Sequence, residues 1–440
     1  MANRAETSPQ NRSLMGRMVA NLAWLIAGKG FGAVCSLVYL AILTRTLGLK
    51  DFGHFALIFG TSQALIAICG FETWRVVVRY GAEHVHAKNW DAFGRLSMLA
   101  GVLDVVGALF GTLVAYLAFY QFADMLELNP ALVDMGFWFN VAAVWALVSA
   151  PTGVVRALDR FDLAVYVEAL VPLGRLAAAV GIWLTGPSLV KFFIAWALID
   201  LLEAAVYWII ARWLCPQAIR FKNLRSIGQT KQENTGVVRF FGVTYASASL
   251  NALYRHGPLL AVGYFVGTSS AGLYRLAHQL AQGLAKLSTL LTRAAYAEIA
   301  RARVASDIAA FRKLVVQTTR LAGLGGLLVV AVVFVAGRFL LELIAGESFG
   351  AAYVALVPLT IAASFELASV AFEPVLHSTN RARLALRAHF AIVVATSAML
   401  LLLAPTYGSS GAAWSVAIGG LVGYLVMGGM TLYAIRRLES

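Results

Sequence analysis

The sequence predicts an all-α polytopic membrane protein of twelve transmembrane helices, arranged as two pseudo-twofold related six-helix bundles. Three observations carry that prediction. Hydrophobic residues make up 60% of the 440-residue chain and charged residues only 13%, against about half and about a quarter in soluble domains. Apolar runs recur along its whole length, each near the roughly 20 residues that a bilayer-crossing helix needs. Finally, three landmarks repeat at a nearly constant offset: Gly48 and Gly53 match Gly267 and Gly272, 219 positions on; Pro151 and Arg160 match Pro374 and Arg381, 223 and 221 on; and Gly186 matches Gly408, 222 on. Parallel six-helix repeats of this kind place a pseudo-twofold along the membrane normal, with a substrate path between the halves.

Taken in order, residues 1–18 form a polar tail with Arg4, Arg12 and Arg17. The run from Val19 to Leu43 is too long for a signal-peptide core and reads as a retained first helix. Spans are expected near 19–43, 53–72, 97–120, 134–155, 164–185 and 189–211, making a first lobe of 19–211. A basic linker, 212–237, follows. The second lobe, 238–434, holds spans near 238–264, 271–292, 320–341, 353–373, 386–404 and 411–434, and residues 435–440 form a short tail.

Charge sets the orientation. The formal net charge of +13 would raise nucleic-acid binding in a soluble protein. In a membrane protein it fits basic loops gathered on the cytoplasmic side. The two tails and the even-numbered turns hold 26 of the 35 Lys and Arg residues, whereas the opposite turns hold only Arg45, Lys50, Lys191 and Arg338. Both termini are therefore expected in the cytoplasm, with no nucleic-acid partner. Five cations remain inside predicted spans: Lys29, Arg175, Arg255, Arg275 and Lys286.

Charge at membrane depth costs roughly 2.5–3.5 kcal/mol per residue on insertion scales. These five therefore mark a wet cavity, a partner charge or a ligand. Arg275, His278, Gln279, Gln282 and Lys286 fall on one face of the eighth span. On the seventh, Thr244, Ser247, Asn251 and Arg255 share a face just before His256-Gly257-Pro258, where a kink is expected. Lys29 lies among glycines of the first span. Arg175 shares a face of the fifth with Glu168 and is equally readable as half of an ion pair. Asp104, Asp200, Glu203, Glu366 and Glu373 are the acids available to neutralise these cations or to carry a proton or metal cation.

Enzymatic constellations are thin. There is no P-loop, H-E-x-x-H pair, nucleophile elbow or Cys/His metal spacing, and no cofactor is expected. Cys35, Cys69 and Cys215 stand singly. His84-Val-His86 falls in an expected cytoplasmic loop and reads as solvated. Short outer loops, the longest about 121–133, argue against a polysaccharide polymerase or ligase.

Twelve spans as six plus six, cations in the first, seventh and eighth, and the turn Leu47-Gly48-x-x-Asp51-Phe52-Gly53 followed by Phe55-Ala56-Leu57 resemble the Wzx-type polysaccharide flippases. These belong to the multidrug/oligosaccharidyl-lipid/polysaccharide (MOP) exporter superfamily, with the lipid II flippase MurJ and the MATE drug antiporters as relatives. The resemblance implies lobes in a V around a central cavity and a bacterial inner-membrane location. It also implies translocation of an undecaprenyl-diphosphate-linked oligosaccharide for surface polysaccharides such as O-antigen, lipopolysaccharide or exopolysaccharide. A polysaccharide polymerase and a chain-length regulator would be partners, alongside membrane lipids. Lys29, Arg255 and Arg275 would then hold the diphosphate or acidic sugars, His278, Gln279 and Gln282 would bond sugar hydroxyls, and Arg175 and Asn251 are further candidate substrate-binding residues. The rival reading is a cation-coupled multidrug antiporter using Asp200, Glu203, Glu366 or Glu373; a cationic or an acidic cavity lining separates the two.

Overall fold

The structure, a computed structural model, describes residues 14–122, 127–283, 308–379 and 381–439; for 14–29 and a few residues at segment ends only the backbone is described. Among the described residues the secondary structure is entirely helical. In chain order the helices are α1 (Leu14–Cys69), α2 (Trp74–His86), α3 (Trp90–Tyr120), α4 (Val133–Trp145), α5 (Ser149–Ala157), α6 (Phe161–Thr185) and α7 (Leu189–Leu214). A 3₁₀ segment, Phe221–Gln229, and α8 (Thr230–Glu233) lead into α9 (Val237–Val266). Then come α10 (268–283), α11 (Ile308–Ala345), α12 (Tyr353–Ala368), α13 (Phe372–Ser378) and α14 (Ala382–Glu439).

Among the described residues, seven stretches are long and apolar enough to cross a membrane, and two of them, Gly30–His86 and Leu384–Arg436, contain a glycine junction and hold two spans each. The three remaining expected spans are α7, α9 and α10, which carry Asp200, Glu203, Arg255, His256, Arg275 and His278 inside their apolar runs. The repeat landmarks turn out to be these junctions. Gly48 adopts φ 71°, ψ 179° inside α1, and Gly267 adopts φ 96°, ψ 174° between α9 and α10. Gly186 (φ 100°) ends α6 and Gly408 (φ 61°) divides α14. Each lies in the left-handed region that glycine enters without a Cβ penalty, so a periodic sequence signal corresponds to a periodic backbone requirement.

The second, fourth and tenth spans are interrupted, at 70–73, 146–148 and 369–371. In the first half one carboxylate ties two interruptions together. Buried Asp104 of α3 accepts hydrogen bonds from Thr73 Oγ1 (2.7 Å) and from the Ala150 backbone N–H (2.7 Å), while Ser149 Oγ accepts from Trp74 N–H (3.0 Å). The N-terminal ends of α2 and α5, where helix dipoles favour negative charge, therefore share one anion. By contrast α9 keeps helical dihedrals straight through Pro258. Pro258 thus sits inside one continuous helix, whereas Pro151 and Pro374 stand in the first turns of α5 and α13, directly after two of the breaks.

The halves meet at both ends. At one end Arg45 donates to the carbonyls of Leu343 (2.5 Å) and Ile344 (3.1 Å), capping the C-terminus of α11, and Phe52 packs edge-on against Phe349. There Gly53 approaches so closely that a Cβ would lie 2.3 Å from the Thr268 carbonyl oxygen. At the linker end, Arg79 sits 4.3 Å over the Phe240 ring and Phe71 packs against Tyr245. His84 and His86, expected in a loop, lie in the last turn of α2, where His84 Nε2 shares a 2.9 Å hydrogen bond with Asn234 Oδ1. Lipid replaces water around such a bundle, so close packing and interhelical polar contacts hold it together more than hydrophobic burial does.

Candidate functional site

Two cavities with largely apolar walls and a few ionisable groups lie near the seam and in the second half. The larger, about 770 Å³, is bounded by α1, α6, α7 and α10 and lined by Tyr39, Glu168, Arg175, Glu203, Gln279 and Gln282 among others. The second, about 510 Å³, lies within the second half between α9, α12, α13 and α14, and is lined by Asn251, Arg255, Glu366, Glu373 and His389. A narrow pocket between Tyr254, Arg255, His278, Gln282 and Glu366 lies beside both. Gln282 touches the pocket and the larger cavity, and Arg255 touches the pocket and the smaller.

Of the predicted site residues, Arg175, Gln279 and Gln282 thus meet in the first cavity, and Asn251 and Arg255 in the second. His278 reaches the pocket between them and stacks on Tyr274 one turn earlier. Lys29 is on α1, but its side chain lies outside the described residues, as does Lys286 altogether.

Arg175 is closed. It donates to both carboxylate oxygens of Asp200 (2.7 and 3.0 Å), and its guanidinium lies 5.2 Å from the Phe59 ring and 5.6 Å from Trp196. The ion-pair reading of this residue therefore holds. Arg275, from the other half, places its guanidinium 4.6 Å from the same Phe59 ring. One benzene ring of α1 is shared by two guanidiniums, one from each half. Cation–π contact is worth up to about 2 kcal/mol when desolvated, which compensates only part of what burying a cation costs. Among the described residues no carboxylate forms an ion pair with Arg275.

Arg255 is different again. Its Nε donates to Asn251 Oδ1 (3.1 Å), one turn away, and the side chain remains exposed to the cavity. Glu366 opposite accepts a hydrogen bond from the Tyr254 hydroxyl. His389 Nδ1 lies 3.0 Å from the Ala385 carbonyl oxygen, which makes that nitrogen the donor and leaves Nε2 as an acceptor. In the larger cavity Glu168 pairs with Arg156 (3.0 Å), while Glu203 forms no ion pair among the described residues. Each cavity lining therefore shows one arginine and two carboxylates rather than a ring of cations. At membrane depth a charge is kept by compensation. The smaller cavity can take a phosphate-bearing group on the remaining guanidinium donors of Arg255, and both can take hydroxyl groups on their amide or carboxylate acceptors.

Sequence reading missed Phe59, and of Asp104 it named the acid but not its role as a clamp on two helix breaks. Phe59 lies in an apolar stretch with nothing local to distinguish it, and its role arises only when residues 59, 175 and 275 come together. Asp104 is a single acid in an apolar span, and that is a signal; its partners Thr73 and Ala150 could not be named without the fold.

Several known proteins resemble the chain. Its sequence is 26% identical over 349 residues to the Inner membrane protein YghQ of Escherichia coli (strain K12), covering 76% of this chain and 94% of that protein. Its fold is similar to the lipid II flippase MurJ in an inward closed conformation, with a TM-score of 0.71 at 9% identity over 94% of this chain and 89% of that one. It is also similar to an inward-facing multidrug resistance MATE family transporter of the MOP superfamily, with a TM-score of 0.70 at 14% identity over 93% and 95%. A MOP superfamily transporter from Pyrococcus furiosus, described as having a binding pocket of reverse polarity, gives 0.64 at 15% identity over 96% of each chain. The family model described as Polysaccharide biosynthesis protein matches residues 18–302. With the all-helical, twice-repeated bundle seen here, that match places this multi-pass membrane protein in the polysaccharide biosynthesis protein family.

Proposed function

We propose that the protein is a flippase that moves an undecaprenyl-diphosphate-linked oligosaccharide from the cytoplasmic to the outer leaflet of a bacterial inner membrane, for O-antigen, capsule or exopolysaccharide synthesis. Both termini lie in the cytoplasm in this reading, and the chain performs no covalent chemistry. The observation that carries it is Arg275. This membrane-depth guanidinium has no described carboxylate partner, touches an aromatic ring of the opposite half, and lies on the helix that presents Gln279 and Gln282 to the larger cavity. Arginine forks match phosphate oxygens two at a time, and leaving Phe59 for a diphosphate would exchange a weak contact for a charge-assisted one. The larger cavity's volume is within the usual range for small-ligand sites, which suits a few sugar units. Lys29, Arg255, His278 and Asn251 complete the proposed path.

The test is complementation of a strain lacking the protein. Arg275→Ala and Arg255→Ala should each insert at normal abundance, abolish the surface glycan, and leave its lipid-linked precursor on the cytoplasmic leaflet. A normal surface glycan in both variants would overturn the reading. A cation-coupled exporter is the second reading, favoured by Glu203 and Glu366 facing the cavities and by the likeness to MATE folds. It predicts instead that Glu203→Gln or Glu366→Gln lowers drug resistance while the glycan is unaffected.

A further inference from the structure

The segment joining the halves has a surface that the transport reading does not use. Between Arg212 and Arg239 the chain carries six cations and a single acid, Glu233. That acid is consumed, since Arg95 at the start of α3 donates to both of its carboxylate oxygens. Arg212, Arg220, Lys222, Arg225 and Lys231 are all solvent-facing.

The backbone beneath them is firmly seated. Gly94 of α3 leaves room for Asn223, whose side-chain amide would lie 2.3 Å from a Cβ there. Asn223 is itself buried and donates to the Gln217 carbonyl (3.0 Å), and Arg212 reaches the Ile219 carbonyl (3.4 Å). With Asn223 turned inward, Phe221 and Leu224 face outward, and Phe221 is 80% exposed. These two alternate with Lys222 and Arg225 along the 3₁₀ segment.

The outward face also continues an existing surface. The exposed side of α7 runs through Ile194, Leu198, Leu202 and Ile209 to Trp213, which is 72% exposed. That stripe is the lipid-facing side of a membrane helix. Trp213 ends it where aromatic residues gather at the membrane–water boundary, and Phe221 is the next exposed large apolar residue in the chain. Apolar anchors alternating with cations directly after a membrane helix suit an in-plane segment at the headgroup level.

We propose that residues 212–231 form an in-plane docking surface for anionic phospholipid headgroups, with Trp213 and Phe221 inserted at the boundary and Arg220, Lys222 and Arg225 on the phosphates. The proposed orientation of the termini serves only to name the leaflet as cytoplasmic. The surface rides with the first half, to which Arg95 and Gly94 fasten it, and so sets that half's depth against the lipid.

The test is hydrogen–deuterium exchange on the full chain in nanodiscs of phosphatidylcholine and of an equimolar mixture with phosphatidylglycerol. Amides of 216–231 should exchange several-fold more slowly in the mixed bilayer. The protection should disappear at high ionic strength, where the screening length falls from about 8 Å to about 3 Å. Each basic residue at such a surface contributes roughly a fivefold preference for anionic lipid. Lys222→Gln with Arg225→Gln should therefore remove most of the difference, and Phe221→Ser should weaken protection in both bilayers. Melting temperature reports whether the variants fold. Equal exchange in the two bilayers, or a difference that the charge variants leave intact, would overturn the proposal. Slowing by an added acidic peptide but not by phosphatidylglycerol would reassign the surface to a protein.

Discussion

In the first half, Arg175 of α6 is locked on both oxygens of Asp200 between two aromatic rings, and Asp104 ties two helix breaks into one hydrogen-bonded knot. In the second half, Arg255 donates to Asn251 and faces an open cavity, and the break at 369–371 lines that same cavity through Ser369 and Val370. The glycine junctions repeat between halves; the polar chemistry does not. In this duplicated scaffold the buried arginine of one half is paired on a carboxylate, whereas the cavity-facing arginine of the other keeps guanidinium donors available.

The largest expected effect tests that division directly. Removing one member of a buried pair strands the other, at about 3–5 kcal/mol, whereas replacing both with apolar residues is often neutral. Arg175→Met should lower the thermal stability of the detergent-solubilised protein sharply, and Arg175→Met with Asp200→Leu should recover most of it. Arg255→Met should change stability by under about 1 kcal/mol, because Arg255 is exposed to the cavity, yet abolish glycan export. Equal destabilisation by the two single variants would dissolve the contrast between halves.

Asp104 comes next. Asp104→Ala leaves the Thr73 hydroxyl and the Ala150 N–H as buried donors without an acceptor, at about 3 kcal/mol together. Asp104→Asn keeps an acceptor oxygen and should recover part of that loss. At the second half's break, Ser369 Oγ donates to the Phe365 carbonyl of its own helix (2.7 Å) and, among the described residues, to no other helix. Ser369→Ala should thus cost less than about 1 kcal/mol. Thermal unfolding of the three variants side by side decides it, and a Ser369→Ala loss matching Asp104→Ala would mean that both breaks are clamped.

How much of this could be read from sequence depends on the range of the interaction. The glycine junctions were legible because a left-handed backbone position demands glycine locally, so Gly48 and Gly267 stand out without any knowledge of their neighbours. The span count was legible because a bilayer requires long apolar runs. Arg175 as an ion-pair candidate was visible from its chemistry, but its partner was not. Asp200 lies on another helix, and only folding brings it near. The balance of charge in the cavities escaped for the same reason: Arg255 and Glu366, or Arg175 and Glu203, share linings across elements far apart in sequence.

The smallest predicted effect asks whether repeat mates are interchangeable at the seam. Gly53 and Gly272 occupy matching positions and face each other across the halves, yet their surroundings differ. A Cβ on Gly53 would lie 2.3 Å from the Thr268 carbonyl oxygen, and on Gly272 3.0 Å from the Gly53 Cα. Alanine gains about 1 kcal/mol over glycine in a helix interior, and overpacking costs about 1–3 kcal/mol. For Gly53→Ala the clash is with rigid backbone, so overpacking wins and the seam must separate. For Gly272→Ala a shift of a few tenths of an ångström suffices, and the two contributions nearly cancel. Gly53→Ala should therefore lower the melting temperature by a few degrees and raise the labelling of a cysteine placed at Phe349, while Gly272→Ala leaves both close to wild type. Identical behaviour of the two variants would show that the seam adjusts around either residue, and that the contrast between halves stops at their polar groups.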